Sequence, residues 1–405
     1  MQDYSPGTEV TLVASSTAGS LFGSWTGVTC TGGGQSQTTP TCTFTLSANT
    51  TVTATFDPDI TANVAPNDLN DDGRSDIIWR TNPGGVGDTA AWLMNGTAVL
   101  AGAGLTAGSP YQVTHAGDFD GDGKADLAFQ HTTAGDVTLF RMDGTTVVAG
   151  AGILPPGTGY TIQHLADFNG DGKADILWQR TDGAVAIWLM NGLTVQAGAG
   201  LLAPGTGWVP KHVGDFNGDG KADILWQNAD GSVAIWLMDG LTVTQGGGIL
   251  AAGSGYVPEH VGDFNGDGRT DILWKAADGG YFAWLMNGLS VTQGGALLGG
   301  GSGYTVTHVA DLGGDQRADL LFRNTADGSV ILWEMNGLTV SQSTPIEGPA
   351  TGWTIKRARD YSGDGKADLL WAHTDGRYRL MVMNGGAISA NATLLGPGTG
   401  YQAVP

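Results

Sequence analysis

The sequence lacks several features that would assign it to a common functional class. It contains no run of about 18 consecutive apolar residues, which argues against a membrane-spanning helix. Basic residues are scarce: 18 Lys and Arg against 39 Asp and Glu give a formal net charge of −21. Such a charge disfavours nucleic acid and anionic lipid as partners. The motifs Gly-x-Ser-x-Gly and His-Glu-x-x-His and the phosphate-binding loop are also absent.

Cysteine is nearly absent, and its only two copies, Cys30 and Cys42, lie close together near the N-terminus. A disulfide between them would stabilise that segment by about 3 kcal/mol and would suit an extracellular setting. Two free thiols are the alternative. The residues Met1-Gln2-Asp3 do not begin a signal peptide, so we expect a secreted protein to be represented here in trimmed form.

One acidic pattern, Asp-x-(Asn/Asp/Ser)-x-Asp-Gly-x-x-Asp, recurs seven times, with departures in the sixth copy. The copies begin at Asp68, Asp118, Asp167, Asp215, Asp263, Asp311 and Asp360, in steps of 50, 49, 48, 48, 48 and 49 residues. A fixed period of this size is typical of repeat architectures, in which each repeat is one structural unit.

The repeat at residues 160–202 illustrates the unit. Residues 160–166 predict strand A, the acidic loop follows, and residues 174–179 predict strand B. Residues 184–190 are almost entirely apolar and predict a covered strand C, and a hairpin dipeptide connects it to strand D at 193–197. That dipeptide recurs in all seven repeats, as Asn95-Gly96, Asp143-Gly144, Asn191-Gly192, Asp239-Gly240, Asn287-Gly288, Asn336-Gly337 and Asn384-Gly385. Four antiparallel strands per repeat predict a propeller blade.

We therefore predict an all-β fold, a seven-bladed β-propeller of four-stranded antiparallel blades at residues 59–405 behind a small β-rich domain at residues 1–58. The aromatic residue that opens strand A recurs as Tyr111, Tyr160, Trp208, Tyr256, Tyr304, Trp353 and Tyr401. No acidic loop follows the last copy, so we expect the C-terminus to join blade one and to help close the ring. A closed ring removes exposed sheet edges. The sequence does not show which segment supplies the inner strand of blade one.

The acidic loops predict calcium sites. Side chains at positions 1, 3, 5 and 9 and the carbonyl at position 7 offer alternating oxygens, and Gly at position 6 permits a sharp turn. The predicted ligands are Asp68, Asn70, Asp72, Arg74, Asp76; Asp118, Asp120, Asp122, Lys124, Asp126; Asp167, Asn169, Asp171, Lys173, Asp175; Asp215, Asn217, Asp219, Lys221, Asp223; Asp263, Asn265, Asp267, Arg269, Asp271; Asp311, Asp315, Arg317, Asp319; and Asp360, Ser362, Asp364, Lys366 and Asp368. Turns capped by aspartate without a metal are the alternative.

We expect six or seven Ca²⁺ ions with a structural role. Loop six departs most from the pattern, with Gly313 at position 3 and Gln316 at position 6, and we predict that it binds most weakly or stays empty. Seven bound ions would reduce the formal charge from −21 to about −7.

The loops, with their flanking Asp-Phe-Asn-Gly-Asp-Gly and Asp-Ile-Leu-Trp segments, resemble the FG-GAP/VCBS repeats of integrin-type β-propellers over residues 59–405. The resemblance implies that the calcium loop joins strands A and B on one face. Some relatives are lectins that bind sugars between blades, others are adhesion modules, and propellers of similar size include polysaccharide lyases. The N-terminal segments at 7–12, 22–27, 42–44 and 52–56 resemble a divergent InlB-B-type domain of secreted bacterial surface proteins, which here lacks its first strand.

Aromatic and histidine residues also recur with the repeat. The strand-A aromatics, beside Gly-rich connections, are candidates for stacking on sugar rings, and we expect them to share a face with the B–C turns, opposite the acidic loops. We interpret the tryptophans of strands B and C mainly as core between blades. The histidines three residues before the loops are His115, His164, His212, His260 and His308. Packing with a ring nitrogen bonded to the next blade is favoured over a ring of ligands.

These patterns leave three functional hypotheses. The first is a secreted bacterial lectin that binds carbohydrate at a cell surface or matrix through many equal sites. The second is a structural or protein-adhesion scaffold, with no membrane span and no nucleic-acid partner. The third is a polysaccharide lyase, which would use residues that break the repeat pattern: His131, Arg141, His373, Arg377, Tyr378 and Arg379.

Overall fold

The computed structural model describes residues 9–13, 20–26, 41–45, 52–58 and 65–404, and these residues contain no helix. The chain forms two compact units, Met1–Val64 and Ala65–Pro405. No helix in the described ranges is long and apolar enough to cross a membrane.

The first unit contains two strand pairs. Its strands are β1 (Glu9–Val13), β2 (Ser20–Thr26), β3 (Thr41–Thr45) and β4 (Thr53–Pro58). The antiparallel pairs are β1 with β3 and β2 with β4. Val10 of β1 and Cys42 and Phe44 of β3 form a small buried cluster. The predicted disulfide partner of Cys42, Cys30, lies outside the described residues, so that pairing stays a prediction.

The second unit consists of seven four-stranded antiparallel sheets arranged as blades of a propeller ring, which confirms the predicted fold class. In chain order its strands are β5 (Ile77–Thr81), β6 (Gly87–Asn95) and β7 (Ala98–Ser109) in blade one; β8 (Tyr111–Gly117), β9 (Asp126–His131), β10 (Val137–Asp143) and β11 (Thr146–Leu154) in blade two; β12 (Tyr160–Ala166), β13 (Asp175–Arg180), β14 (Val185–Asn191) and β15 (Thr194–Leu202) in blade three; β16 (Trp208–Gly214), β17 (Asp223–Asn228), β18 (Val233–Asp239) and β19 (Thr242–Leu250) in blade four; β20 (Tyr256–Gly262), β21 (Asp271–Ala276), β22 (Tyr281–Asn287) and β23 (Ser290–Leu298) in blade five; β24 (Tyr304–Ala310), β25 (Asp319–Asn324), β26 (Val330–Asn336) and β27 (Thr339–Glu347) in blade six; β28 (Trp353–Arg359), β29 (Asp368–His373), β30 (Tyr378–Asn384) and β31 (Ala387–Leu395) in blade seven; and the last strand, β32 (Tyr401–Val404).

Each blade has its strands in the order A, B, C, D, and strand A lies innermost. The A strands of consecutive blades, such as β8 and β12, contact each other, which places them around the centre of the ring. Strand B is buried on both faces because a neighbouring blade covers each side, as residues 175–178 of β13 show. Strand D lies at the exposed outer edge, and most of its residues in β15 are exposed or half-buried.

The C-terminal strand closes the ring, as the sequence predicted. Strand β32 supplies strand A of blade one and pairs antiparallel with β5, placing Tyr401 opposite Thr81 and Val404 opposite Ile78. The two ends of the propeller unit therefore meet within one sheet, and blade one is assembled from segments more than three hundred residues apart.

The hydrophobic core is divided into layers between blades. One layer combines Phe119 and Leu139 of blade two with Ile176 and Trp178 of blade three. Trp178 is 1% exposed, and its ring meets that of Trp188 on strand C edge to face, with centroids 5.0 Å apart. The recurrent tryptophans of strand B are thus core between blades, as predicted: Trp79, Trp178, Trp226, Trp274 and Trp371 are all buried.

Acidic loops and inter-blade grooves as candidate sites

Each acidic loop wraps around its first aspartate. In loop three, Asp167 Oδ1 accepts backbone N–H groups of Asn169 at 3.1 Å and Gly170 at 2.7 Å, and its Oδ2 accepts that of Gly172 at 2.7 Å. Gly172 has φ of +80°, a conformation that glycine adopts without steric cost. The bond from position 6 to position 1 recurs in all seven loops. The local sequence therefore fixes the loop shape.

The last aspartate of each loop is buried and bonded on both oxygens. Asp175 accepts the N–H of Met190 on Oδ1 at 2.8 Å and that of Phe168 on Oδ2 at 3.0 Å. Desolvation by burial raises its pKa to about 7, and the two backbone hydrogen bonds only partly oppose this. The pKa of each counterpart is raised to about 7 as well: Asp76, Asp126, Asp223, Asp271, Asp319 and Asp368. A nearby cation would favour the charged form of these carboxylates.

Loop two offers the donor set that fits a hard cation best. Carboxylate oxygens of Asp118, Asp120 and Asp126 all lie within 4.8 Å of one another. Asp120 Oδ1 is buried without a hydrogen-bond partner in the described part of the chain, as is Asn70 Oδ1 in loop one. Oxygen ligands of this kind suit Ca²⁺, and a buried oxygen without a hydrogen-bond partner is available to coordinate a cation. The residues therefore fit the predicted ion.

Position 3 differs between the loops. In loops one, three, four and five it is Asn, whose side-chain amide donates to the position-5 aspartate; for Asn217 and Asp219 the distance is 3.0 Å. Among the described residues, the grouping of three carboxylates occurs at loop two. In loop six, Gly313 provides no side chain, and its N–H donates to Asp319 Oδ2 at 3.1 Å. The predicted weakness of that loop stays a prediction.

The position-7 side chains extend from each loop as cations and form ion pairs. Five pair with the position-5 aspartate of their own loop, at N–O distances from 2.9 Å for Arg317 to 3.6 Å for Lys173. Lys124 and Lys221 instead pair with Asp143 and Asp239 of the C–D turn at 2.9 and 2.7 Å. These side chains balance part of the loop charge, while only the backbone carbonyl of position 7 was predicted as a ligand.

The acidic loops also join neighbouring blades, a role that the sequence analysis missed. The N–H of Ala174 in blade three donates to the carbonyl of Asp118 in blade two at 2.6 Å, and the N–H of Gly192 donates to that of Phe119 at 2.7 Å. Both bonds recur at all seven junctions, including that between blades seven and one. The position-2 side chain is buried at each: Leu69, Phe119, Phe168, Phe216, Phe264, Leu312 and Tyr361. This apolar position was the available signal.

The opposite face is formed by the B–C turns and the connections between blades, and we call it the turn face. Backbone hydrogen bonds join the B–C turn to the connections on either side of it. The N–H of Ala229 donates to Gly207 O at 3.0 Å, and the N–H of Gly253 donates to Asp230 O at 3.3 Å. The strand-A aromatics begin their strands at this face, and all seven are half-buried: Tyr111, Tyr160, Trp208, Tyr256, Tyr304, Trp353 and Tyr401.

Grooves open on the turn face at blade junctions. One of about 610 Å³ lies between blades four and five and is lined by Asp230, Tyr256 and Lys275. A second of about 350 Å³ lies between blades six and seven, and a third of about 280 Å³ lies between blades seven and one. The strand-A aromatics are not equivalent, since the ring of Trp353 is covered by the Arg379 guanidinium 4.2 Å from its centroid.

The histidines of strand A hold the inner strands together. His164 Nε2 lies 3.1 Å from the carbonyl oxygen of Pro210 in the next blade, and His212 Nε2 lies at the same distance from Pro258 O. Desolvation by burial lowers the pKa of His212 to about 4. These contacts match the packing interpretation from the sequence, in which a ring nitrogen bonds to the neighbouring blade.

The residues that a lyase would use do not form one site among the described residues. Arg141 pairs with Asp120 of an acidic loop at 3.2 Å, whereas His131 ends strand B near the turn face and packs on Tyr111. In blade seven, His373 and Arg377 share Asp375, and Arg379 pairs with Glu347. Tyr378 accepts the N–H of Ala403 at 3.2 Å. Each of the six therefore has a local structural partner.

Comparisons with known proteins agree with this architecture. A family model described as FG-GAP-like repeat matches residues 68–129, 118–178, 167–226, 215–274 and 263–322. Residues 1–60 match the divergent InlB B-repeat domain. The search of curated proteins gave no match.

The chain is similar to solved structures at low sequence identity, with TM-scores on either side of 0.5. A post-proline cleaving enzyme from Rickettsia typhi is 10% identical with a TM-score of 0.53, covering 80% of this chain and 52% of that chain. The chain thus spans about half the length of that enzyme. The WD40 domain of SCAP from fission yeast is 9% identical with a TM-score of 0.41, covering 76% of this chain and 82% of that chain. Identities this low support the fold alone.

Proposed function

Because this chain belongs to the FG-GAP-like repeat family, we propose that it is a secreted, calcium-stabilised propeller that binds carbohydrate in the grooves between its blades. A β-propeller of FG-GAP repeats by itself suggests a protein-binding or scaffold role, and the carbohydrate proposal rests on the grooves. The divergent InlB B-repeat domain at the N-terminus supports an extracellular location.

The groove between blades four and five is the observation that carries the proposal. It has about 610 Å³ of space, the half-buried ring of Tyr256 on one side and Asp230 on the adjacent turn. Asp230 is held in place by the N–H of Ser232 at 2.8 Å and by its hydroxyl at 2.6 Å. A saccharide presents an apolar ring face and hydroxyl groups, and this groove offers an aromatic ring beside fixed polar groups.

Repetition would convert weak individual sites into useful affinity. Grooves open at three blade junctions on one face, and simultaneous binding of one polymer to several of them raises avidity without new contacts. The polymer class that such a face favours is a cell-surface or matrix polysaccharide.

Calcium would act in the acidic loops rather than at the grooves. When bound, Ca²⁺ would supply positive charge to carboxylates that the fold holds close together, such as Asp118, Asp120 and Asp126. The same loops carry the backbone bonds between blades. We therefore assign the loops a structural role, with up to seven ions and the loop at Asp311 the weakest.

A glycan and polysaccharide panel in millimolar calcium tests the proposal, with retention and newly formed chain ends both measured. We expect retention without cleavage and several ligands per chain. Tyr256→Ala should reduce the number of bound ligands, whereas Val243→Ala, an exposed position on strand D outside the groove, should not. Cleavage would favour the lyase hypothesis, and absence of any retained saccharide would sink the carbohydrate proposal.

A protein partner is the second candidate, and a specific surface favours it. The second residue of strand D is an exposed aliphatic residue in every blade, 37–45% exposed. These residues are Val99, Val147, Val195, Val243, Val291, Val340 and Ile388. Single exposed apolar side chains are common on protein surfaces, and their repetition once per blade would offer a protein partner the same contact several times. If no saccharide binds, this outer edge becomes the site to test.

A further inference from the structure

The junction between blades seven and one, where β32 closes the ring, contains a groove unlike the other two. Its volume is about 280 Å³, and Lys356, Tyr401 and Gln402 line it together with His373 of the adjacent strand. Lys356 and Gln402 are exposed, and Tyr401 is half-buried. We call it the closure groove.

Lys356 is the lysine that lines the closure groove, and the Asp375 carboxylate of the adjacent B–C turn pairs with His373 and Arg377. No acidic residue lines it, and within the described residues no carboxylate lies within ion-pair distance of the Lys356 amino group. The groove between blades four and five differs, since Asp230 lines it and its Lys275 is paired with Glu259 at 2.8 Å. The groove between blades six and seven combines Arg323 with Asp327.

The strand-A position three residues after the aromatic is a lysine in blades four and seven, and of these two lysines only Lys356 lines one of the three grooves. Lys356 occupies the strand-A position that Glu259 holds in blade five, three residues after the aromatic. The next residue is Arg357, where blades two to six have histidine, and its guanidinium donates to Lys356 O at 2.7 Å. Arg359 follows on the same strand. Arg357 and Arg359 do not line the groove, and Arg359 directly precedes the acidic loop, so Lys356 is the cation of this strand that reaches the groove.

We infer that the closure groove binds a saccharide bearing a carboxylate, a uronic-acid residue of an acidic polysaccharide. Lys356 pairs with the carboxylate, the ring of Tyr401 packs against the sugar, and the amide of Gln402 bonds to hydroxyl groups. This assignment rests on the proposed function and specifies its ligand class at one of the grooves. It also predicts one acidic site per chain, whereas neutral saccharide sites would recur between other blades.

The test is calorimetric titration of the full chain in calcium with a hyaluronan tetrasaccharide and with its carboxyl-reduced form. We expect one strong acidic site per chain, and Lys356→Gln should weaken binding of the acidic form at least about tenfold, or about 1.4 kcal/mol. The matched control is Lys211→Gln, an exposed lysine at the same strand position in blade four that lines none of the three grooves. It should leave the affinity unchanged. Thermal unfolding of both variants checks that the fold is retained.

The outcomes separate this inference from the proposed function. If the carboxyl-reduced form binds as tightly as the acidic form, or if the two lysine variants behave alike, the acidic assignment is overturned while saccharide binding stands. If neither form binds and the panel retains no glycan, the proposed function fails and this inference fails with it. Weakening of the acidic complex by added salt in the wild type, but not in Lys356→Gln, would support the ion pair.

Discussion

At the scale of single residues, the outer half of five of the seven blades has an aromatic ring placed over a glycine. Trp188 on strand C lies opposite Gly198 on strand D, and a Cβ added to Gly198 would lie 2.7 Å from Trp188 Cδ1. The same pairing occurs in blades one, two, four and five. In blade six Trp333 lies opposite the small residue Ser343, and in blade seven Met381 replaces the ring and lies opposite Asn391. The missing side chain therefore makes room for the aromatic ring.

Gly198→Val should destabilise the propeller by about 1–3 kcal/mol, because the branched side chain forces the Trp188 ring out of its position. Gly200→Val is the matched control, since that residue lies on the same strand with no atom within 4 Å of the added Cβ. Valine is favoured in strands, so the control should be neutral or slightly stabilising. Urea unfolding of both variants measures the difference, and equal midpoints would contradict the steric explanation.

The strand-B tryptophans bury their indole N–H groups between blades. The Nε1 atoms of the five strand-B tryptophans have no hydrogen-bond partner among the described residues. Phe129 and Phe322 fill the same position in blades two and six and are equally buried. The position thus requires an aromatic ring that packs edge to face rather than a donor, which the sequence indicated through its exchange of Trp for Phe.

At the scale of elements, the acidic loop combines a candidate ion site with a joint between blades, and loop six allows the two to be separated. Loop six retains the bonds to its neighbour, from Ala367 N–H to Asp311 O at 2.7 Å and from Gly385 N–H to Leu312 O at 2.8 Å. It lacks only the oxygen at position 3. A Cβ at Gly313 would have ordinary contacts, the nearest being Asp319 Oδ2 at 3.8 Å.

Gly313→Asn should therefore strengthen calcium binding at loop six by about tenfold, or about 1.4 kcal/mol, because it restores the oxygen that loops three to five have. Calcium titration by calorimetry would report a gain in the weakest class of sites. Gly313→Ala controls for the effect of a side chain on the backbone. An identical gain in both variants would show that the oxygen is not the cause.

The inner strands should be sensitive to acid through their histidines. Burial lowers the pKa of His212 to about 4 from an ordinary value near 6.5. The neutral form is favoured in the folded state, so its contribution to stability is present above pH 6.5 and is lost as the pH falls towards 4. Charging the ring also brings it near the charges on His164 and His260 of adjacent blades and Lys211 on its own strand.

We expect wild type to lose stability relative to His212→Gln as the pH falls from about 6.5 to about 4, by at most roughly 3 kcal/mol. The comparison is made at each pH because the loop aspartates titrate as well. Their raised pKa values act in the opposite sense in the calcium-free protein, which loses stability as the pH rises towards 7. Parallel stability curves for the two proteins would refute a role for this histidine.

At the scale of the whole molecule, the sequence predicted the architecture because period, hairpin dipeptides and acidic loops are local signals repeated seven times. It did not predict that the loops join blades, since those bonds use backbone groups of Ala174 and Gly192 that carry no side-chain signature. It also treated the strand-A aromatics as equivalent. Their environments differ because partners such as Arg379 for Trp353 come from other strands, and only the fold brings them together.

Strand β32 should be needed to close the ring stably. Strand β32 has only four residues, yet it supplies strand A of blade one, and Ala403 lies opposite Trp79, which is 1% exposed. Deleting residues 401–405 should uncover that ring and leave β5 as an open sheet edge, with a loss of about 3–5 kcal/mol or more and a tendency to associate. Gln402→Ala is the control, because that side chain is exposed on the same strand. Thermal unfolding in calcium measures the loss of stability, and size-exclusion chromatography measures association. A deletion variant that stays monomeric and unfolds at the wild-type temperature would mean that the bonds between acidic loops close the ring without the strand.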